Sequence, residues 1–322
     1  MSEVASFLRT VAEDDNQRVR GLLSADPPLS RARGPHPYWG GTPNGLEVAV
    51  EWGNREAVGI LLDGGADLNE VSESYGGWSP LHLAIHRGRM RGTLDIAQYL
   101  IERGAKVDAI AAAGLGMTDY LRTADDFRGL GPGGATPLHW TATIEVAECL
   151  LARGADPNAR DARGNPPERK VAGHAPEVAQ FLLKTRGAQA DIHLAAAMGD
   201  VARVAEILDA DPEGRSRQTY AWDSVANFSG GMPLHIAAIH GRIDVAAHLL
   251  ARGADVNAHC LEGVTPLHYT AIKGQVKMAK FLLDHGADPG AHDPKHQSTP
   301  LGWARFQRWP KLVELLSGYQ PA

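Results

Sequence analysis

Apolar positions along this chain recur as short helical stripes and never as long unbroken runs. Residues 265–288 show the unit most clearly. Thr265 suits a helix N-cap and Pro266 the first helical position, where no amide donor is needed. Leu267, Ala271 and Ile272 fall on one stripe of a short first helix that Gly274 ends. Val276, Met278, Ala279, Phe281, Leu282 and Leu283 form a second helix, apolar at i, i+3, i+4 spacing. Gly286 supplies the left-handed residue that closes it. Helices of about 8–12 residues are marginal alone in water. The burial must therefore come from neighbouring units stacked on either side.

The unit repeats. Thr265-Pro266-Leu267-His268 has counterparts in Ser79-Pro80-Leu81-His82, Thr136-Pro137-Leu138-His139 and Met232-Pro233-Leu234-His235. Gly286-Ala287-Asp288 has counterparts at Gly65, Gly154 and Gly253. Positions equivalent to the opening Thr read as Asn44, Ser79, Thr136, Pro166, Ala190, Met232, Thr265 and Thr299, in steps of 35, 57, 30, 24, 42, 33 and 34. Phe7 to Pro27 also matches Ile192 to Pro212 at a constant offset of 185. A recurrence near 33 residues with this opening resembles the ankyrin repeat. The resemblance implies an all-α fold, an ankyrin-repeat α-solenoid with β-hairpin-like finger loops. It also implies that His82, His139, His193, His235 and His268 are structural, bonding a nearby hydroxyl or backbone group. About nine units are expected, as tandem sub-arrays 1–188 and 189–322 of one continuous solenoid. The short step into Ala190 suggests a seam near Gly187. The last unit, with Gly302 in place of the opening His and Lys311 and Glu314 on its final helix, reads as a C-terminal cap.

Composition narrows the function classes. The net charge is −6, which argues against a nucleic-acid partner. No apolar run is long enough to span a membrane, and Met1 to Asp15 lacks a signal-peptide pattern. Two cysteines, Cys149 and Cys260, give neither a disulfide framework nor a zinc spacing. Cys149 is expected in the core. A cytoplasmic location fits, and Arg outnumbering Lys 24 to 8 suggests a bacterial source.

Departures from the repeat carry the functional signal. Four insertions are expected between a second helix and the next opening: 28–41 with His36, Tyr38 and Trp39; 71–78 with Tyr75 and Trp78; 110–135 with Met117, Tyr120 and Phe127; and 213–231 with Tyr220, Trp222 and Phe228. The resemblance puts them on the finger side, bordering a groove. Their aromatics either seal neighbouring repeats, wall a small-molecule or sugar pocket, or anchor a partner, for which Trp and Tyr are favoured. Further binding candidates from the groove row are Trp52, Arg87, Lys273 and Phe306, with His259 and His292 near finger bases. No metal-ligand spacing and no phosphate loop is present, and no metal or cofactor is expected. Proton-transfer candidates are His36, His86, His240, Asp125, Asp126 and Asp223. Two functions remain open. One is a non-enzymatic module that grips a protein or peptide. The other is an enzyme, of lyase or hydrolase type, or a small-molecule binder with aromatic loops closed over the groove.

Overall fold

A computed structural model describes residues 3–38, 40–91, 94–217 and 231–319. The helices gather into two compact units, Met1–Ala155 and Asp156–Ala322. In the first unit, antiparallel pairs are formed by α1 (Glu3–Ala12) with α2 (Asn16–Ala25), α3 (Gly45–Trp52) with α4 (Arg55–Asp63), and α5 (Pro80–Arg91) with α6 (Asp95–Glu102). They are followed by α7 (Ala109–Leu115) with α8 (Thr118–Thr123), and by a 3-10 turn, Pro137–Trp140, with α9 (Ile144–Ala152). The second unit pairs α10 (Pro167–Val171) with α11 (Pro176–Arg186), α12 (Ile192–Met198) with α13 (Val201–Ala210), and α14 (Pro233–Ile239) with α15 (Ile243–Ala251). The pairs α16 (Pro266–Lys273) with α17 (Val276–Asp284) and α18 (Pro300–Phe306) with α19 (Pro310–Gly318) complete it. Among the described residues no strand forms. The finger positions hold only isolated antiparallel bridges, Arg33 with Asn44 and Ser72 with Trp78.

In most pairs the first helix is the more deeply buried, α18 with only Pro300 and Ala304 buried being an exception. Every residue of α3, α12 and α14 is buried, and so is α16 from Pro266 to Ile272. Within each unit, first helices pack on the first helices of adjacent pairs, so they are covered on two sides. Second helices bury one stripe, as Met278, Ala279, Leu282 and Leu283 do in α17. The turn between the two is tight. Gly274 takes φ +66°, and a Cβ there would meet the Trp309 ring at 2.5 Å, so glycine answers both backbone and packing.

The opening-motif histidines stitch one repeat to the next. Nδ1 of His268 accepts from the Thr265 hydroxyl at 2.8 Å, and its Nε2–H donates to the Ser298 carbonyl at 3.2 Å. His235 reaches the Val264 carbonyl at 3.0 Å, His193 the Arg217 carbonyl at 2.7 Å, and His82 the Asp108 carboxylate at 3.1 Å.

Two expectations need correction. The 110–135 segment is not a plain inserted loop, because it contains most of α7 and all of α8. Asp108 opens that pair, its carboxylate capping the Ala111 amide at 2.8 Å. The long step from Ser79 to Thr136 thus holds a repeat whose Ala-rich first helix lacks the Pro-Leu-His signature. Cys149 is also only half-buried. It lines a shallow depression of about 410 Å³ with Arg122, Glu145 and Arg153, because the inward stripe of α9 is Val146, Ala147 and Leu150.

Candidate interaction face of the first unit

The first two insertions are held down by ionic hooks on α3 and α5. The 28–41 loop folds back through the Gly34 amide on the Pro43 carbonyl and the His36 amide on the Gly41 carbonyl, at 3.2 and 3.0 Å. At its base Arg33 bonds the carboxylates of Glu47 and Glu70, each at 2.8 Å. Glu47 also completes the capping box with Asn44 at the start of α3. One turn further on, Glu51 is almost fully buried and collects donors from three elements. His36 Nε2 lies 2.8 Å from Glu51 Oε2, the Tyr75 hydroxyl donates to the same oxygen at 2.5 Å, and Arg87 of α5 bonds Oε1. The Tyr38 backbone N–H donates to His36 Nδ1 at 3.2 Å. An amide can only donate, so the imidazole proton sits on Nε2 and points at Glu51. Burial alone would raise the Glu51 pKa, but Arg87, His36 and Tyr75 outweigh it and hold the carboxyl below its ordinary 4.5. Burial, with Glu51 beside it, pushes the Tyr75 phenol upward.

Around this carboxylate stand two pairs of rings. Tyr38 meets Trp52 edge-on at 5.4 Å. Trp78 meets His86 at 4.6 Å and Trp140 at 5.3 Å, both edge-on. The pairs are linked through the chain, since Trp52 follows Glu51 and His86 precedes Arg87. Tyr38 is 37% exposed and carries the Arg9 guanidinium 5.9 Å above its ring. Trp78 and His86 are half-buried. Of the candidates read from sequence, His36, Tyr38, Trp52, Tyr75, Trp78, His86 and Arg87 therefore come together in one neighbourhood.

The family model described as ankyrin repeats (3 copies) matches residues 12–111, 46–161, 192–293 and 234–321. The chain belongs to the ankyrin-repeat family. Its all-α, helix-pair architecture is that of an ankyrin α-solenoid. Similar proteins include NF-kappa-B inhibitor alpha of Sus scrofa, 33% identical over 38% of this chain and 32% of the relative. Protein phosphatase 1 regulatory subunit 27 of Homo sapiens is 39% identical over 26% of this chain and 54% of the relative. Palmitoyltransferase Hip14 of Drosophila melanogaster is 27% identical over 48% of this chain and 20% of the relative. Each match takes in less than two thirds of the relative's length.

The remaining candidates of this ankyrin array lie elsewhere. Asp126 accepts the Ala109 amide at 3.1 Å and Asp125 is exposed beside it, so neither joins the histidines. In the second unit His240 is buried rather than turned to an open groove, with Nδ1 3.3 Å from Lys273 Nζ and its ring against Gly173. Desolvation, helped by the Lys273 charge, drives its pKa well below 6.5. His259 and His292 are exposed, and Asp293 beside His292 is committed to the Trp303 indole and the His296 and Ser298 amides. Among the described residues no three metal-binding side chains cluster. Phe306 is 37% exposed at the end of α18. Trp39, Tyr220, Trp222, Asp223 and Phe228 lie outside the described residues. Sequence reasoning missed Glu51 as the hub and Arg89 as a brace. Their signal was a charged residue where other first helices are apolar or have ended.

Proposed function

We propose that this ankyrin-repeat protein is an interaction module that takes a protein or peptide partner on the finger-loop and first-helix face of its first unit. The observation that carries this reading is the convergence on Glu51. Two loops that the repeat does not need are fixed by one buried carboxylate, with Tyr38, Trp78 and His86 left accessible. Rings held in place before contact spare a complex the entropy of ordering them. Two of the relatives carry names that describe action on another protein, an inhibitor and a phosphatase regulatory subunit, which favours the same class. The two free cysteines suit a reducing compartment, and among the described residues no helix is long and apolar enough to cross a membrane.

The test is selection of binding peptides from a random library on the intact chain, followed by titration against Tyr38→Ala and Trp78→Ala. Anchors of this kind cost more than about 1 kcal/mol when truncated. Affinity should therefore fall severalfold or more while the melting temperature stays within about 2 °C. Binders indifferent to both substitutions would refute this assignment.

A second reading keeps one observation. His36, Glu51, Tyr75 and Arg87 form a titratable quartet beside aromatic rings, as a small-molecule or enzymatic site would. A thermal-shift screen with sugars and metabolites tests it: concentration-dependent stabilisation abolished by Glu51→Gln would move the assignment to a small ligand.

A further inference from the structure

The guanidinium of Arg87 is under-used. It has five N–H donors but, among the described residues, one oxygen acceptor, Glu51 Oε1, through Nη2. Its Nη1 lies 3.9 Å from the Met90 thioether, a weak acceptor, and its Nε is buried with no acceptor. Glu51 meanwhile has its other oxygen filled by His36 and Tyr75, so its negative charge is shared among three donors. The result is a cation about four-fifths withdrawn from water, its side chain 19% exposed, and incompletely paired. Such a group favours an incoming anion, and the planar fork of Arg matches a carboxylate.

The surroundings define the rest of the occupant. Arg87 is tied to the Trp78–His86 pair by its chain neighbour His86, and to the Tyr38–Trp52 pair through Glu51, which precedes Trp52. Arg9 adds a second cation, exposed over the Tyr38 ring and in no ion pair among the described residues. Of the nearby acids, Glu47 and Glu70 share Arg33 at the loop base, and Glu73 of the 71–78 loop is exposed. Arg87 thus offers unmet N–H donors beside apolar rings, with Arg9 as a second cation over Tyr38.

We propose that the partner enters as an extended segment in which one acidic residue, flanked on both sides by apolar side chains, sets its carboxylate on Arg87. The apolar neighbours rest on the Tyr38–Trp52 and Trp78–His86 pairs. This deepens the interaction reading and rests on it. The test uses the peptides selected above, made with a fluorescent label, each alongside a version with its Asp or Glu changed to the amide. The acidic form should bind the intact chain at least about tenfold more tightly than the amide, the worth of one charged hydrogen bond. That gap should close with Arg87→Gln and shrink partway with Arg87→Lys, which keeps the charge, loses the fork and guards against a folding defect in the Gln variant. Equal affinities for acid and amide, or selected sequences rich in Lys and Arg, would overturn the acidic partner while leaving the interaction face intact. Peptides that bind without regard to Tyr38 and Trp78, or no enrichment at all, would overturn both.

Discussion

Two ways of burying polar groups stand in contrast in this molecule. Around His268 in the second unit each bond is local or reaches one repeat ahead: Thr265 three residues back, Ser298 in the next finger. The pattern is renewed at His235 and Val264. Around Glu51 in the first unit the bonds come from a loop, another loop and another helix, and among the described residues nothing repeats them. The first arrangement spreads polar satisfaction evenly, so any one bond matters modestly. The second concentrates it, and loss of one atom releases two loops at once. Regularity serves stability, and its local breakdown marks where the chain departs from the demands of stacking.

That contrast is open to direct attack. Glu51→Ala should be the most damaging polar change, costing about 3–5 kcal/mol because it strands a buried Arg87. Chemical denaturation should show it, and hydrogen exchange should show faster exchange in 34–42 and 72–78. If those loops keep their protection, Glu51 is not the hub. Acid comes next and acts on the second unit first. Burial lowers the His235 pKa from its ordinary 6.5 to about 4, so the folded state prefers the neutral ring. The associated stability is full above 6.5 and is lost as pH falls toward 4, by about 3 kcal/mol. Glu51, held below 4.5, keeps its contribution above 4.5 and loses it progressively as pH falls from there through its folded value. Exchange at pH 5 should therefore loosen α14 to α16 before the Glu51 loops, and the reverse order would refute the assignment of these shifts. Thr265→Ala should cost about 1 kcal/mol, the worth of one cap, visible as a small fall in melting temperature. Smallest of all, Tyr38→Ala should change stability by under about 0.5 kcal/mol while weakening partner binding. A clear drop in melting temperature would make Tyr38 a seal rather than an anchor.

Much of the fold was legible because its determinants are local. Caps, the proline after the cap, and the closing glycine all act within a few residues, which is why α14 to α17 could be placed from spacing alone. The pair α7 and α8 was not legible. Asp108 caps as well as Thr265 does, but Ala109 to Ala113 are apolar all round and offer no stripe to count. At the candidate face the residue types were legible and the hub was not. Glu51 meets Tyr75 and Arg87 across 24 and 36 residues, a pairing set by how loops return to the stack and written in no period.

Helix α5 is longer than the other first helices described in its unit. It runs 12 residues where α16 runs 8, a difference close to one helical turn of 3.6. Added length of that size leaves the side chains before it in phase. It also delivers Arg89, whose guanidinium caps the Gly114 carbonyl at 2.9 Å and bonds that of Trp140, where the 3-10 turn ends early. Here the array has absorbed new sequence without disturbing the stack, which makes the tip of α5 a natural graft point, provided foreign segments come in whole turns and spare that arginine.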